Sequence, residues 1–231
     1  MTDKGGLLVT EPAQQYGPVI IRPEDAPDYL RKMDLDVTDI AAALEAGEIM
    51  AGNITRHHPT IAPGLTRWIH VVGALREKLA STHRWIGVDP QNRPVSRRIG
   101  HSYTLSTLGG TEATGVIDHP FGPFAARRKG KATAEAVHGI EPLITVEALR
   151  PVSHPTGSDF PPPGPWFLVY HRTDEGVRSE VSLPLGFDED AGQFTGWKVR
   201  VVLDFWKPQT AGEQPLDIGG QDVDFRVVEV A

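Results

Sequence analysis

Trp166-Phe167-Leu168-Val169-Tyr170-His171-Arg172 is apolar at successive positions, and Thr173-Asp174-Glu175-Gly176 follows it at once, so the stretch reads as a strand buried on both faces and closed by a hairpin turn. Beyond the turn, Val177, Ser179, Val181, Leu183 and Leu185 alternate with Arg178, Glu180 and Ser182. After a second turn at Asp188 to Gly192, Trp197, Val199, Val201, Leu203 and Phe205 alternate with Lys198, Arg200 and Asp204. A period of two places one set of side chains on a core face and the other in water. Val223 to Val230 supplies a fourth strand, and the C-terminal part reads as an antiparallel meander.

Upstream, the period lengthens. Asp36 stands as an N-cap before Val37, Ile40, Ala41 and Leu44, with Gly47 as the stop. Past the polar loop Asn53 to Thr60, Leu65, Trp68, Ile69, Val72, Leu75 and Leu79 form an apolar stripe, with Thr66, Arg67, His70, Glu77 and Lys78 on the other side. Pro18 to Arg22 reads as a short strand, with a turn at Pro23 to Pro27. Arg84 to Val88 and Tyr103 to Leu108 read as two strands that pair with each other across a basic linker, and Ala132 to His138 as a short helix. The fold class is therefore α+β, an N-terminal helical part packed on a C-terminal antiparallel meander. Residues 1 to 231 read as a single domain. The alternative is an internal boundary in the proline-rich connector 151–165, with a mixed helical part at 1–150 and the sheet at 166–231.

Composition narrows the chemistry. The 231 residues contain no cysteine, which excludes disulfides, thiolate nucleophiles and cysteine-bound zinc. No run of about 18 apolar residues and no leader-like start is present, so the expectation is a cytoplasmic protein with no membrane contact. The 20 prolines and 24 glycines, with arginine and alanine favoured over lysine, resemble the usage of a high-GC bacterial genome. Net charge is −7, yet eight Lys/Arg against three acids give Arg84 to Lys131 a charge of +5.

Within that basic segment, Arg127-Arg128-Lys129-Gly130-Lys131 precedes a short helix, where cations and helix-terminal amides can hold phosphate together. Arg97 and Arg98 extend the patch if the fold brings them near. Gly109-Gly110-Thr111-Glu112-Ala113-Thr114-Gly115 has the small residues of an anion loop without the order of a phosphate-binding or dinucleotide motif. A divalent metal would draw on His57, His58, Asp118 and His119, with Glu180 as a further carboxylate, but the spacing matches no known ligand pattern. A cross-strand pair of Glu180 with Arg200 on a solvated sheet face explains both residues without catalysis, and His171 beside them is a candidate general base. No serine sits in a Gly-x-Ser-x-Gly elbow, and the acidic turn Asp188-Glu189-Asp190 is too short for a calcium loop of the EF-hand type.

These residues point to a non-catalytic binding or accessory subunit that touches phosphate-bearing partners, nucleic acid among them, through the basic loop, and other proteins or its own copies through apolar surface. No catalytic set and no cofactor is implied. Two alternatives stay open, a metal-dependent hydrolase or nuclease, and a structural component of a larger complex.

Overall fold

The computed structural model describes residues 17–139 and 161–208. The chain enters as strand β1 (Val19–Ile21), turns into the short helix α1 (Ala26–Arg31), and continues through helices α2 (Val37–Gly52) and α3 (Ala62–Ser81). Strands β2 (Trp85–Val88), β3 (Val95–Arg98) and β4 (Tyr103–Gly109) follow, then a long connection and helix α4 (Lys131–His138). The last described elements are β5 (Gly164–Arg172), β6 (Val177–Asp188) and β7 (Gln193–Val202). No helix among the described residues is long and apolar enough to cross a membrane.

All seven strands of the described residues join one sheet in the order β1-β7-β6-β5-β4-β3-β2, in which β4 and β5 are neighbours. The β5-β6-β7 meander is antiparallel as expected, but β4 lies parallel to β5 and β1 parallel to β7. Parallel neighbours need a long crossover connection, and the stretch between β4 and β5 is one. The expected pairing of β2 with β4 is replaced by a third strand, because the basic linker itself becomes β3 and lies between them. The expected strand Val223 to Val230 lies outside the described residues, and β1 occupies the place beside β7.

The sheet is covered on both faces. One core gathers Leu30, Ile40, Leu44, Val71, Leu75 and Leu79 from the helices onto Trp166, Leu168, Val181 and Val201 of the sheet. On the opposite face Leu108, Phe167, Val169, Phe187, Phe194 and Trp197 pack with Ala125 of the long connection and Ala134 of α4. The expectation of one solvated face is thus overturned at its centre: Glu180, Ser182 and Arg200 are wholly shielded, while Arg178 and Lys198 remain exposed. The connection after β4 folds over them and takes the place of water. Leu185 is exposed because the β6–β7 register shifts between Leu183 and Phe187, breaking the alternation around Pro184.

Two helix expectations need correction. Asp36 caps α2 as read, its carboxylate accepting the Thr38 amide at 2.8 Å, but the helix runs past Gly47 to Gly52. Gly47 is instead the contact with α3, since a Cβ there would stand 2.4 Å from Val71 Cγ2 and 3.0 Å from the Arg67 carbonyl oxygen. The stripe of α3 also departs from the expectation. Its buried line is Val71, Leu75 and Leu79, whereas Leu65 and Ile69 are about half exposed, at 48% and 50%.

Candidate functional site

β4 and β5 run side by side in the same direction, so their C-terminal ends open at one edge of the sheet. The first turns of α3 stand beside that edge, and the chain after β4 returns to it as an extended segment. Ala125 bridges Gly110, and the Ala126 amide donates to the Gly109 carbonyl at 2.8 Å. Between these elements lies a cavity of about 460 Å³, lined by Arg67, Arg127, Lys129, Tyr170, His171 and Arg172 over apolar walls of Ile61, Leu65 and Trp68. Its size is that of a small-ligand site. Among the described residues, four Lys/Arg side chains line it and no carboxylate does.

Local hydrogen bonds explain why these cations converge. The Lys129 amide donates to Gly192 O at 2.9 Å, and the Arg128 guanidinium donates to the Asp190 carbonyl, both in the β6–β7 turn. In an extended segment neighbouring side chains point to opposite sides, so anchoring Arg128 on that turn leaves Arg127 and Lys129 for the cleft. Among the described residues neither has an ion-pair partner. Burial, and then the charge of Arg127, lower the Lys129 ammonium below its ordinary pKa, because an unneutralised cation is held out of water.

The other wall is tied together by Glu48 of α2. Its nearly buried carboxylate takes the Arg67 Nε contact and a second bond from Arg67 Nη2 at 3.3 Å, and reaches Arg172 Nε at 3.4 Å. One anion therefore serves two guanidinium groups, from behind the cavity surface, and the cleft keeps an excess of positive charge. Burial pushes the Tyr170 phenol up to about 12, with Glu48 adding to the rise and Arg67 opposing it, so the group is a neutral O–H donor. His171 Nδ1 lies 3.1 Å from the Gly110 carbonyl oxygen. A carbonyl only accepts, so Nδ1 carries the proton and Nε2 is the nitrogen left for a ligand. The Trp68 indole N–H donates to Thr107 O at 3.1 Å, which fixes the ring in the wall.

The residues of the basic patch separate. Arg127 and Lys129 line the cleft, but Lys131 points into solvent beside Glu135 at 3.6 Å, one helical turn on. Arg97 is exposed on β3 opposite Ile86 and Thr104. Arg98 is structural, donating to Asp34 Oδ2 at 2.7 Å and to Ile99 O at 2.7 Å. His57 and His58 are exposed in the loop after α2, where His58 Nδ1 accepts the Thr55 amide at 3.1 Å. Asp118 is exposed, and the His119 ring meets Phe121 edge-on with its Nδ1 buried and unpartnered among the described residues. Among the described residues no group of three or more His, Asp or Glu is placed to hold a metal ion.

No family model, curated protein or solved structure matches this chain. Arg67, Trp68, Tyr170 and Arg172 had no signature in the sequence, because their relation is spatial: the start of helix α3 beside the end of strand β5. The one available sign was the Gly109-Gly110 pair that ends a strand shortly before a basic run. Gly110 meets a close approach, since a Cβ there would lie 2.3 Å from Thr114 Oγ1 and 2.5 Å from Val169 Cγ1.

Proposed function

We propose that the protein is a non-catalytic binding or accessory protein that holds a phosphate-bearing ligand in the cleft between α3, the ends of β4 and β5, and the Arg127 to Lys129 segment. The observation that supports this is the lining by the described residues: four Lys/Arg, a histidine with one free nitrogen, a neutral phenol, and among them no carboxylate. At an effective dielectric constant of about 20, a unit charge about 6 Å away is worth roughly 3 kcal/mol, so several cations around one pocket favour a multiply charged anion over a neutral ligand. The Arg127 guanidinium, and the terminal nitrogens of Arg172 that Glu48 leaves unbonded, present planar donors suited to phosphate oxygens. Trp68, Leu65 and Ile61 give the remainder of the ligand an apolar surface. Contact with another protein is supported by Ile69, exposed on α3 beside the cleft residues Leu65 and Ile61 and in line with them at one-turn intervals.

The test is thermal unfolding in the presence of phosphate, pyrophosphate, AMP, phenyl phosphate and, as a cationic control, choline. A ligand that binds only the folded state raises stability by about 2.7 kcal/mol at a hundred times its Kd. The reading expects stabilisation by the phosphate compounds and none by choline. Equal or absent effects across the panel would contradict it.

A further inference from the structure

The connection after β4 carries His119-Pro120-Phe121-Gly122-Pro123-Phe124-Ala125-Ala126-Arg127-Arg128-Lys129, with aromatic residues leading into the cations of the cleft. Phe121 is 70% exposed and Phe124 42%. A flexible loop would shelter such rings, but the backbone that bears them is fastened. Trp197 Nε1 donates to Pro123 O at 2.9 Å, and the Phe124 amide donates to Thr111 Oγ1 at 3.1 Å. Gln193 binds Ala125 at both its amide and its carbonyl, at 3.0 and 3.1 Å. Gly122 has φ 67°, and a Cβ there would stand 2.8 Å from Trp197 Cδ1, so the bend between the two rings requires glycine. Two phenyl rings are thus held in water by a rigid support, and Phe124 is two residues from the lip of the cleft at Ala126.

We infer that the cleft and this loop together take a short single-stranded nucleic acid, its phosphates at Arg127, Lys129 and Arg172 and its bases stacked on Phe124 and Phe121. The inference rests on the reading of the cleft as a phosphate site. Cations that follow the backbone beside aromatic rings that accept any base are the usual means of holding single strands. A duplex hides its base faces and needs a longer run of positive surface. Here Glu112 and Asp118 are exposed on the same connection, and Asp188 and Glu189 are exposed in the turn that anchors Arg128, so the positive surface ends close to the cleft. A membrane surface fits less well, because Lys129 is half-buried inside a concavity and so recessed from a flat layer of headgroups.

Fluorescence anisotropy with labelled single-stranded ten-residue DNA and RNA, the matching duplex, and anionic phosphatidylserine vesicles as competitor tests this, with pyrophosphate titrated in parallel. The single strands should bind with a log–log salt slope of about −2, as three phosphate contacts give at about 0.7 each, and the duplex at least about tenfold more weakly. Replacing both rings in Phe121→Ala/Phe124→Ala should weaken the oligonucleotide by at least about tenfold and leave pyrophosphate binding and the unfolding midpoint unchanged. Pyrophosphate binding without oligonucleotide binding would overturn this inference and leave the phosphate site standing, whereas loss of both would remove both. An indifferent double-phenylalanine variant, an equal affinity for duplex, or displacement of the oligonucleotide from the protein by the vesicles would each overturn it.

Discussion

Glu180 Oε2 lies 2.6 Å from Arg200 Nη2, diagonally across β6 and β7, with both side chains wholly closed to solvent. The carboxylate is nearly saturated. It takes a second bond from Arg200 Nε at 3.0 Å, one from Ser182 Oγ at 2.7 Å and one from the Gly115 amide at 2.9 Å. Arg200 Nη2 also donates to Val116 O at 3.1 Å, while its Nη1 has no partner among the described residues. The pair therefore stitches the connection after β4 to the sheet beneath it, and holds the start of the loop whose far end supplies the cleft.

Removing one partner leaves the other charge buried and uncompensated. Glu180→Ala should cost about 3 to 5 kcal/mol in urea unfolding, whereas Glu180→Leu/Arg200→Met, which removes both charges, should recover a large part of that loss. Equal destabilisation by the single and double variants would mean that the pair acts through its shape alone.

Two helical glycines separate packing from propensity. Alanine is favoured over glycine within a helix by about 1 kcal/mol, and Gly73, exposed on α3 with nothing near its Cβ position, should yield that gain in Gly73→Ala. Gly47→Ala should lose stability despite the same propensity, because the new methyl meets Val71 and the Arg67 backbone, an overpacking that costs about 1 to 3 kcal/mol. Thermal midpoints that rise in both variants would show that α2 and α3 move apart freely.

Asp34 ties Arg98 and Arg84 to the turn after α1. Burial alone would raise its pKa, but the hydrogen bonds and charges of Arg98 and Arg84 outweigh it and hold the carboxyl below its ordinary value. A carboxyl that is more acidic folded than unfolded stabilises the protein fully above its unfolded pKa of about 3.9. That contribution is lost as pH falls through the lower folded value. Asp34→Asn, which suits the positive φ of 58° at this position, should be less stable than the parent at pH 7. The difference should shrink below pH about 4. Urea midpoints measured down the acid limb that keep a constant gap would rule out the charge as its origin.

The sequence carried the meander well because turn chemistry and period both act locally: Thr173 to Gly176 and Asp188 to Gly192 are turns as read, and Asp36 caps its helix. Partners distant along the chain were not legible. Nothing local tells that the linker holding Arg97 and Arg98 pairs as β3, or that Gly47 serves a helix crossing and not a helix end. The polar positions Glu180, Ser182 and Arg200 alternate as solvated residues do, and only the loop folded over them makes them internal. The cleft follows the same rule. Its basic half, Arg127 and Lys129, stands out as a charge run, while its other half is assembled from Arg67, Tyr170 and Arg172, more than fifty residues away in sequence on one side and about forty on the other.

The central claim is that Arg127 and Lys129 contribute to a phosphate site while Arg128 and Lys131, adjacent in the same run, do not. Calorimetric titration of pyrophosphate into the parent, Arg127→Ala/Lys129→Ala and Lys131→Ala tests it most directly. Each lost charge-assisted contact is worth about 1.5 to 3 kcal/mol, so the double variant should bind at least about a hundredfold more weakly, with its folding nearly unchanged, and Lys131→Ala should match the parent. A parent that releases no heat and shows no saturable binding, or a double variant that binds as the parent does, would contradict the account.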